Sequence, residues 1–538
     1  MHPLLAALPL LAVSPVALAQ VPSVQDTSFD PRNALSELGI DTSLIPQTSG
    51  VCPSQGGAQC RVACSALARI FGSDRVITPN TTAYVNATNA YWSTQQAEVQ
   101  PACIFVPAVD KHVSALVLIS QLTKCPFAAK SGGHAAFTGS SNSDGGITVL
   151  FRDLNEVTLS EDRSVASIGP GNTWGDVYTA LEPHGLAVVG GRVSDIGVGG
   201  LTTGGGISYH SNLYGWALDN VQSFEVVTAI GAIVTASKTK HADLYWALRG
   251  GGNNFGLVTK FNLYTIPSPP LYGSTRVYTE DMFPSVVDAF INAANNASRD
   301  GNAQQYVAFG QAQGMNIASA ELTYIGNISN PAIFRQYRSI PAVMDTSSSR
   351  TLAEYCAYVK AQNPVGLREV YWNHSFKLSR DFATWVIEYF FSIVDEIADI
   401  PGIMPVLVFQ VITEPQIKAM SRFDGNALGV DELSAGGHPL HLPLIACSWQ
   451  NGQDDDRVYQ FISAFYTALS AKAEAMGVHN DFIYMNYASQ FQDVISSYGA
   501  ANKARLQEIA SKYDPRHVFQ ELQPGYFKLA GAPLPNPF

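Results

Sequence analysis

Charged residues are scarce in this chain of 538 residues: only 14% are Asp, Glu, Lys or Arg, against about 25% in an average soluble protein. Hydrophobic residues make up 46%, a balance that excludes a disordered chain and predicts large packed cores. The 32 basic residues are outnumbered by 44 acidic ones, which gives a net charge of −12. A field of that sign repels phosphate backbones and anionic lipids, so neither nucleic acid nor a membrane surface is an expected partner.

Long hydrophobic runs are also missing beyond the N-terminus. Residues 3–18 are apolar, but this run is too short to span a bilayer core of about 30 Å. Ala17-Leu18-Ala19 before Gln20 has the small-residue spacing of a signal-peptide cleavage site. The most apolar later stretch, 385–411, is interrupted by acidic residues. We therefore predict a signal peptide over 1–19 and a secreted protein without a transmembrane helix, with an N-terminal membrane anchor as the alternative.

Cysteine is sparse, and its seven residues show no metal-binding pattern. Cys60 and Cys64 have no second ligand pair nearby, so no metal site is expected. Three cysteines cluster before residue 65, which predicts at least one disulfide, while the odd total leaves one thiol unpaired and the spacing leaves the connectivity open. Asn-x-Ser/Thr triplets are typical of a glycosylated chain. They begin at Asn80, Asn86, Asn296, Asn327 and Asn373.

The standard nucleotide-binding fingerprints are absent from the sequence as well. It contains neither a strand–GxGxxG–helix motif nor a GxxxxGK[ST] loop. Instead, Lys130-Ser131-Gly132-Gly133-His134 places a histidine directly after a glycine turn, and 197–206 is a second glycine-rich stretch. Glycines let backbone N–H groups approach a ligand closely, and consecutive N–H groups can form a nest for a pyrophosphate. Two such stretches in one domain predict a holder for a phosphate-bearing cofactor.

Apolar periodicity predicts strands that alternate with helices. The predicted strands are 103–106, 147–151, 257–264 and 481–487, with a hairpin of 223–228 and 232–235. The predicted helices are 113–122, 173–181, 243–248 and 503–512, the second with Thr173 as its N-cap. Residues 20–65 are predicted to be turn-rich and irregular. Strands, helices and a hairpin in this order favour an α+β fold over a doubly wound sheet.

The proline cluster at 267–270 is the best internal boundary. Glycine becomes rarer after it, so the first part is interpreted as a cofactor holder and the next as a substrate-shaping domain. The predicted division is a signal peptide over 1–19, an N-terminal segment over 20–98, a cofactor domain over 99–270, a substrate domain over 271–478 and a C-terminal segment over 479–538 that completes the cofactor domain.

Five ordered motifs between about 65 and 530 resemble those of the berberine-bridge-enzyme-like flavoproteins, within the vanillyl-alcohol-oxidase/PCMH superfamily. They are the 130–134 motif, the 197–206 stretch, YGWALDNV at 214–221, DLYWALRGGGNNFG at 243–256, and Tyr484-x-Asn486-Tyr487. The similarity is greatest to fungal secreted FAD-linked oxidoreductases. It implies a PCMH-type two-part FAD-binding domain, a separate α+β substrate domain, and FAD as the cofactor.

The resemblance also implies that His134 is bonded through its ring to the 8α-methyl of FAD. Many relatives carry a second tether, a cysteine four residues before the G-x-G-G turn, but Val193 stands there, so a single link is expected. Lys130 replaces a common arginine, which keeps the charge but loses the planar fork. The other expected cofactor-binding residues are Ser131, Gly132, Gly133, Gly139, Ser141, Gly191, Gly197, Gly200, Gly204, Gly205, Asn220, Val221 and Asn486.

Tyr484 and Tyr487 are the candidate catalytic residues, because family members use a glutamate or a tyrosine as a base and 400–450 holds no good match to the glutamate motif. On a strand, positions i and i+3 face opposite sides, so only one tyrosine is expected to face the substrate, and Tyr487 is our choice. A tyrosine needs a neighbouring cation or a strong hydrogen bond to act as a base at neutral pH. The alternative is that both tyrosines only pack against the flavin.

Three functions agree with these residues. The first is an FAD-dependent oxidoreductase that transfers a hydride from an alcohol or C–H site of a small molecule, expected to be a secondary metabolite, with molecular oxygen as a candidate acceptor. The second is a secreted carbohydrate oxidase that produces hydrogen peroxide. The third is a cyclase in which the flavin is structural.

Overall fold

The computed structural model describes residues 29–46, 56–326, 328–363 and 365–538. The predicted signal peptide, Cys52 and Asn327 lie outside these residues. The strands are β1 (Val76–Ile77), β2 (Cys103–Phe105), β3 (Phe127–Lys130), β4 (Ile147–Leu150), β5 (Val157–Leu159), β6 (Val165–Ile168), β7 (Leu186–Val188), β8 (Val221–Val227), β9 (Ile233–Ser237), β10 (Leu257–Pro267), β11 (Leu271–Thr279), β12 (Ala303–Ala312), β13 (Met315–Ile325), β14 (Met344–Arg350), β15 (Arg368–Asn373), β16 (Phe376–Lys377), β17 (Met404–Ile412) and β18 (Leu440–Trp449).

The α-helices alternate with these strands along most of the chain. They are α1 (Pro31–Glu37), α2 (Gly56–Phe71), α3 (Thr82–Asn89), α4 (Thr94–Ala97), α5 (Asp110–Thr123), α6 (Trp174–Leu181), α7 (Val198–Gly204), α8 (Ser211–Tyr214), α9 (Ala242–Leu248), α10 (Phe283–Asn295), α11 (Arg335–Ser339), α12 (Leu352–Lys360), α13 (Arg380–Ile393), α14 (Glu414–Met420), α15 (Val430–Leu433), α16 (Asp455–Met476), α17 (Ala500–Tyr513) and α18 (Val518–Glu521). The predicted α+β class is confirmed.

Three sheets organise the described residues. The first has the order β1-β2-β4-β3, with β2 and β3 both parallel to β4. The second has the antiparallel order β5-β6-β10-β8-β9, with β7 also paired to β10. The third has the antiparallel order β14-β11-β13-β12-β17-β18-β15, with β16 paired to β18. Because β10 ends at Pro267 and β11 begins at Leu271, the predicted proline boundary coincides with the change from the second to the third sheet.

Each sheet has its own apolar core. The first packs with α2 and α5, the second with α6, α9 and α17, and one face of the third with α10, α13 and α16. Residues 482–529 also contribute to the core of the second sheet. Side chains alternate along every strand of the third sheet, so its opposite face is free to line a cavity.

Most predicted elements are confirmed within a few residues, but the N-terminal region is not irregular. The predicted helix at 113–122 is α5, and Thr173 caps α6 in a reciprocal capping box with Asp176. By contrast, α1 and α2 occupy much of the stretch predicted as turns. Two disulfides, Cys60–Cys125 and Cys64–Cys103, join α2 to the end of α5 and to β2. They confirm the expected disulfide bonding, and Cys356 and Cys447 are buried free thiols.

The predicted glycosylation sites differ in their exposure. Asn80 and Asn86 are exposed and Asn296 is half-buried. Asn373 is fully buried, and its amide donates to the carbonyl of Tyr484 at 3.0 Å. The prediction of a glycan at Asn373 is therefore wrong for the folded chain, because the amide nitrogen is inside the protein and already bonded.

Candidate active site

A cavity of about 530 Å³ lies between the two glycine-rich stretches, the free face of the third sheet and the segment around Tyr484. Its volume falls within the range of about 300–1,000 Å³ that is typical of ligand pockets. The sequence-predicted residues that line it are Ser131, Gly132, Gly133, His134, Ser141, Gly197, Gly200, Tyr484, Asn486 and Tyr487. Val193 lines it as well. The structure thus brings both glycine stretches and both candidate tyrosines to one site.

The two glycine-rich stretches are in backbone contact. A Cβ on Gly132 would lie less than 3.0 Å from the backbone of Gly197, and a Cβ on Gly197 would come equally close to Gly132. The hydroxyl of Ser131 links them further, since it donates to the carbonyl of Pro170 at 2.6 Å and accepts from the N–H of Gly199 at 3.1 Å. Only glycine at 132 and 197 allows this approach.

The first stretch leaves backbone donors free at the cavity. Among the described residues, none accepts a hydrogen bond from the N–H groups of Gly132 and Gly133. A Cβ on Gly200 would meet no atom within 4 Å, so this part of the cavity wall is open space. The second glycine-rich stretch, 197–206, is largely the short helix α7. Free N–H groups beside a glycine surface suit a negatively charged cofactor such as a pyrophosphate.

His134 is fixed at the end of the first glycine stretch. Trp92 stacks on its ring, with 4.4 Å between centroids and 12° between planes. Its Nε2 atom is 4.0 Å from Oδ1 of Asp195. Burial lowers the pKa of His134, whereas Asp195 acts in the opposite direction and Lys360 lowers it further. The net effect keeps the imidazole neutral, the form whose ring nitrogen can act as a nucleophile.

Lys130 points away from the cavity that the next residues line. Its Nζ donates to the carbonyls of Ala87 and Ala90, at 3.1 and 2.6 Å, and lies 3.4 Å from the centroid of the Tyr91 ring. Burial lowers its pKa to about 7. Lys130 therefore does not line the cavity, because its side chain is taken up by the C-terminal end of α3.

The other predicted cofactor residues do not line the cavity. Gly191 packs on Trp174, and Gly204 and Gly205 pack on Asn486 and Tyr484. The amide of Asn220 donates to the carbonyls of Tyr214 and Trp216. Val221 is buried at the start of β8, and Gly139 lies against Gly525.

The segment predicted as a strand over 481–487 is wrong as a strand: it is extended at first and then forms a 3₁₀ turn over Met485–Tyr487. The N–H of Tyr484 donates to Oδ1 of Asn373 at 3.0 Å, and its carbonyl accepts from the same amide. A side-chain amide thus takes the place of a neighbouring strand. The physical reason is that extended backbone can pair with any donor and acceptor at the right spacing. The sequence of the segment does not show whether that partner is a strand or a side chain.

This turn overturns the expectation that Tyr484 and Tyr487 face opposite sides. In a 3₁₀ turn positions i and i+3 lie above one another, and the two rings are 4.8 Å apart. The hydroxyl of Tyr484 accepts from the N–H groups of Gly206 and Ile207 and from the amide of Asn486. Burial raises the pKa of Tyr484 far above its ordinary value. Tyr484 therefore anchors the chain at 206–207.

Tyr487 has a different set of partners. Its Oη accepts from Nη2 of Arg192 at 2.6 Å and donates to Oε1 of Gln410 at 3.5 Å. The same Nη2 donates to Gln410 at 2.6 Å. Burial lowers the pKa of Arg192, but the surrounding phenols, first that of Tyr487, outweigh this and leave it above its ordinary value. Arg192 is thus a permanent cation in contact with a cavity tyrosine.

A row of polar side chains crosses the cavity face of the third sheet. Thr275 pairs with Glu321 and Glu321 with Tyr306, while Gln410 stands one strand further on. Glu321 accepts from Thr275 at 2.6 Å and from the hydroxyl of Tyr355, and burial raises its pKa. The neighbouring rows are mostly apolar, with Ala308, Val406, Val408, Leu444 and Ala446.

Sequence reasoning missed Arg192, Gln410, Glu321 and Tyr306. Arg192 stands directly before Val193, ahead of the second glycine-rich stretch, and belongs to none of the five motifs. Gln410 is a polar residue in the apolar run 406–412, and in a strand such an interruption signals a lined cavity. This signal can be used only after 406–412 has been assigned as a strand.

The comparisons with known proteins agree with this site. Residues 101–237 match the family described as the FAD binding domain, and 483–524 match the family described as berberine and berberine like. The chain is 35% identical over 465 residues to the FAD-dependent monooxygenase tpcD of Cochliobolus heterostrophus, covering 82% of this chain and 88% of that protein. It is 35% identical to the FAD-dependent monooxygenase FUP4 of Fusarium proliferatum, covering 88% and 95%.

Solved structures share the fold at low identity. 6-Hydroxy-D-nicotine oxidase from Arthrobacter nicotinovorans superposes with a TM-score of 0.70 at 20% identity, covering 84% of this chain and 97% of that one. BBE-like 1 of Physcomitrella patens gives a TM-score of 0.70 at 20% identity, covering 89% and 99%. Glucooligosaccharide oxidase from Acremonium strictum, described as carrying a 6-S-cysteinyl, 8α-N1-histidyl FAD, gives 0.69 at 20% identity, covering 89% and 100%.

The fold and the cavity define an FAD-dependent oxidoreductase. The chain belongs to the berberine-bridge-enzyme-like family of these enzymes. The residues present fit FAD: two glycine stretches in backbone contact, free N–H groups at Gly132 and Gly133, and open space at Gly200 form a cradle that side chains would fill.

Proposed function

We propose that this enzyme oxidises a hydroxyl-bearing, mainly apolar small molecule, with FAD bonded to His134 and Tyr487 as the base. The observation that carries the proposal is the 2.6 Å hydrogen bond from Arg192 Nη2 to Tyr487 Oη inside the cavity. Bound FAD supplies the hydride acceptor. The protein has to bind and orient the substrate and to take the proton from its hydroxyl.

Tyr487 is suited to take that proton. A guanidinium that donates to its oxygen stabilises the negative charge that a phenolate base carries. Gln410 holds both partners and fixes their orientation. The T-shaped contact with Tyr371, at 5.9 Å and 90°, fixes the ring. Arg192 thus supplies the cation that a tyrosine base needs, and the amide of Gln410 holds it in place.

The cavity walls favour a mainly apolar substrate over a sugar. A carbohydrate site needs many polar donors, whereas the third sheet presents the apolar rows named above, with the polar row concentrated at Glu321, Tyr306 and Gln410. A secondary metabolite with a few hydroxyl groups fits this distribution better than an oligosaccharide. The carbohydrate oxidase is therefore the weaker alternative.

The names of the relatives favour a second candidate, in which an oxygen atom enters the product. Both reported relatives are called FAD-dependent monooxygenases. Molecular oxygen would then be a co-substrate instead of only an electron acceptor. Turnover under ¹⁸O₂ separates the two: label in the organic product supports the monooxygenase, and unlabelled product with hydrogen peroxide supports the oxidase.

Two observations, the disulfides and the exposed sequons, support a secreted enzyme. The two disulfides need an oxidising compartment, and Asn80 and Asn86 are exposed sequons. In the part of the chain that the structure describes, none of the helices is both long and apolar enough to cross a membrane.

The test begins with a panel of aromatic and allylic alcohols, with cellobiose as the sugar probe, mixed anaerobically with the enzyme in a stopped-flow instrument. We expect an alcohol to reduce the flavin and Tyr487→Phe to slow this step by about 10²- to 10⁴-fold, the usual worth of a general base. Tyr264→Phe, which stacks on Phe423 outside the cavity, is the control.

Four results would contradict the proposal. An unchanged reduction rate in Tyr487→Phe would assign this residue to packing. Reduction by cellobiose alone would favour the carbohydrate oxidase, and product formation without any flavin reduction would favour a cyclase. Flavin that leaves the protein entirely on acid precipitation would exclude the bond to His134.

A further inference from the structure

Asp195 is an incompletely partnered carboxylate beside the proposed attachment histidine. Its Oδ1 atom is buried and, among the described residues, has no hydrogen-bond partner. That oxygen lies 4.0 Å from Nε2 of His134, and Oδ2 lies 3.5 Å from Nζ of Lys360. A buried, unbonded carboxylate oxygen is costly, so its place next to an imidazole calls for an explanation.

The surroundings of His134 limit what this carboxylate can do. Trp92 covers one face of the imidazole in a near-parallel stack, which restricts rotation of the ring. Asp195 lies two residues before Gly197, and the contact between Gly132 and Gly197 holds this segment against the loop that carries His134. The carboxylate and the imidazole are therefore positioned by backbone that is itself tightly packed.

A carboxylate near one ring nitrogen determines the state of the other. It favours the tautomer that carries its proton on the nearer nitrogen, Nε2, which leaves the lone pair on Nδ1. It also stabilises the positive charge that appears on the ring when Nδ1 forms a bond to carbon. Both effects favour the same reaction of this histidine.

We propose that Asp195 is a positioning residue for the covalent attachment of FAD to His134; this rests on the histidyl link of the proposed function. In the step, Nδ1 forms a bond to the 8α-carbon and one C–H bond of that methyl group breaks. The electron pair enters the flavin ring system, which is thereby reduced by two electrons. Dioxygen then takes these electrons with two protons, one from the methyl group and one from the imidazole, and leaves as hydrogen peroxide.

The test follows attachment itself. Full-length apoprotein from a riboflavin-starved host is mixed with FAD in air, and the flavin fluorescence that stays with acid-precipitated protein is followed over time. We expect Asp195→Asn to slow attachment by about 10- to 100-fold, the usual cost of losing the group that orients a functional histidine. Reversible FAD binding before attachment, measured by fluorescence quenching, should change less than threefold.

Two further variants sharpen the result. Lys360→Met removes the other ionic partner of Asp195 and should attach FAD at least as fast as the wild type. Asp195→Ala should be slow in sodium chloride and faster in equal sodium formate, because formate can replace the lost carboxylate. The formate effect also decides the matter if Asp195→Asn proves unstable.

The outcomes separate this inference from the proposed function. Attachment in Asp195→Asn at the wild-type rate, or no formate effect in Asp195→Ala, would overturn the role of Asp195 while the histidyl link stands. Absence of covalent flavin in the wild type would overturn both. Slow attachment that parallels a loss of reversible FAD binding would assign Asp195 to the cradle and also overturn the inference.

Discussion

Arg192 is a half-buried cation that donates to Tyr487, and it sits in the middle of the proposed catalytic group. If it activates Tyr487, Arg192→Met should slow flavin reduction by about 10²-fold or more. Because both residues serve one proton transfer, Arg192→Met/Tyr487→Phe should be little slower than either single variant. Stopped-flow reduction rates of the wild type, the two single variants and the double variant complete this double-mutant cycle.

Arg350→Met is the matched control for that cycle. Arg350 is an arginine beside a tyrosine, with its guanidinium carbon 4.2 Å from the centroid of the Tyr358 ring, but it does not line the cavity. Its reduction rate should equal that of the wild type. Additive losses in the double variant would show that Arg192 and Tyr487 act independently.

Sequence identified those site residues whose roles are written into a local motif. His134 follows a glycine turn, and the positions of Ser131 and Gly132 follow from the same few residues. Arg192 and Tyr487 are 295 positions apart, so their contact depends on how the segment between β7 and α7 meets the C-terminal segment. No pattern within either segment specifies that meeting.

At the scale of elements, the contact between the two glycine stretches predicts contrasting effects of two alanine substitutions. Gly197→Ala places a methyl group against the backbone of Gly132, so it should lower the melting temperature of the apoprotein and abolish FAD binding. Gly200→Ala meets no atom within 4 Å. It should leave the apoprotein's melting temperature unchanged but weaken FAD binding, since its methyl group projects into the open cradle.

Differential scanning fluorimetry of the apoproteins and fluorescence titration with FAD provide both readouts. Equal melting temperatures for wild type and Gly197→Ala would contradict the backbone contact. Unchanged FAD affinity in Gly200→Ala would place the cofactor elsewhere along the cavity.

A second element, β18, carries a buried histidine that makes stability depend on pH. Burial lowers the pKa of His441 to about 3, and neither ring nitrogen has a hydrogen-bond partner among the described residues. Below the ordinary pKa of about 6.5 the unfolded chain binds a proton that the folded chain does not. Its contribution to stability is therefore complete above about pH 6.5 and is lost as the pH falls towards 3.

We expect His441→Leu to reduce the loss of stability between pH 7 and pH 4. Denaturant unfolding followed by tryptophan fluorescence at both pH values measures it. His184→Leu, at an exposed position, is the control and should retain the full loss. His210, whose pKa burial lowers to about 4, keeps some of the acid sensitivity in both variants.

Elements with strong local signals were predictable. The capping box at Thr173 and the apolar face of α5 each specify a helix without help from the rest of the chain. Residues 481–487 have the composition of a strand, but Asn373 supplies the partner that a strand would have had. Residues 20–65 were predicted to be irregular because their glycines and prolines obscure the helical pattern at the start of α2. The disulfides hold this helix in place.

At the scale of the whole molecule, the disulfides join α2 to the first sheet and to the end of α5. They span separations of 65 and 39 residues, for which loop closure predicts roughly 4 kcal/mol of stabilisation each. Cys64→Ser/Cys103→Ser should lower the melting temperature by several degrees, and the control Cys447→Ser, a buried free thiol in β18, should lower it less. Peptide mapping without reduction should show the 60–125 and 64–103 pairs.

The order of the large parts followed from the five ordered motifs, since a resemblance that covers most of the chain carries the fold with it. The exact domain boundaries stay a prediction. Which face of the third sheet turns towards the cavity could not be read from sequence, because both faces of its strands are largely covered and their alternation is weak.

Whether a side chain faces the cavity or the core depends on whether its position along the strand is even or odd. Along β17 the even positions Val406, Val408 and Gln410 line the cavity, while the odd positions Leu407 and Phe409 belong to the core. A point substitution changes one cavity-lining side chain. Deletion of a single residue ahead of Gln410 would instead turn the cavity-lining side chains of the strand towards the core and its core side chains towards the cavity. New substrates are therefore reachable in this enzyme by substitution within the strands and by length changes only in the loops between them.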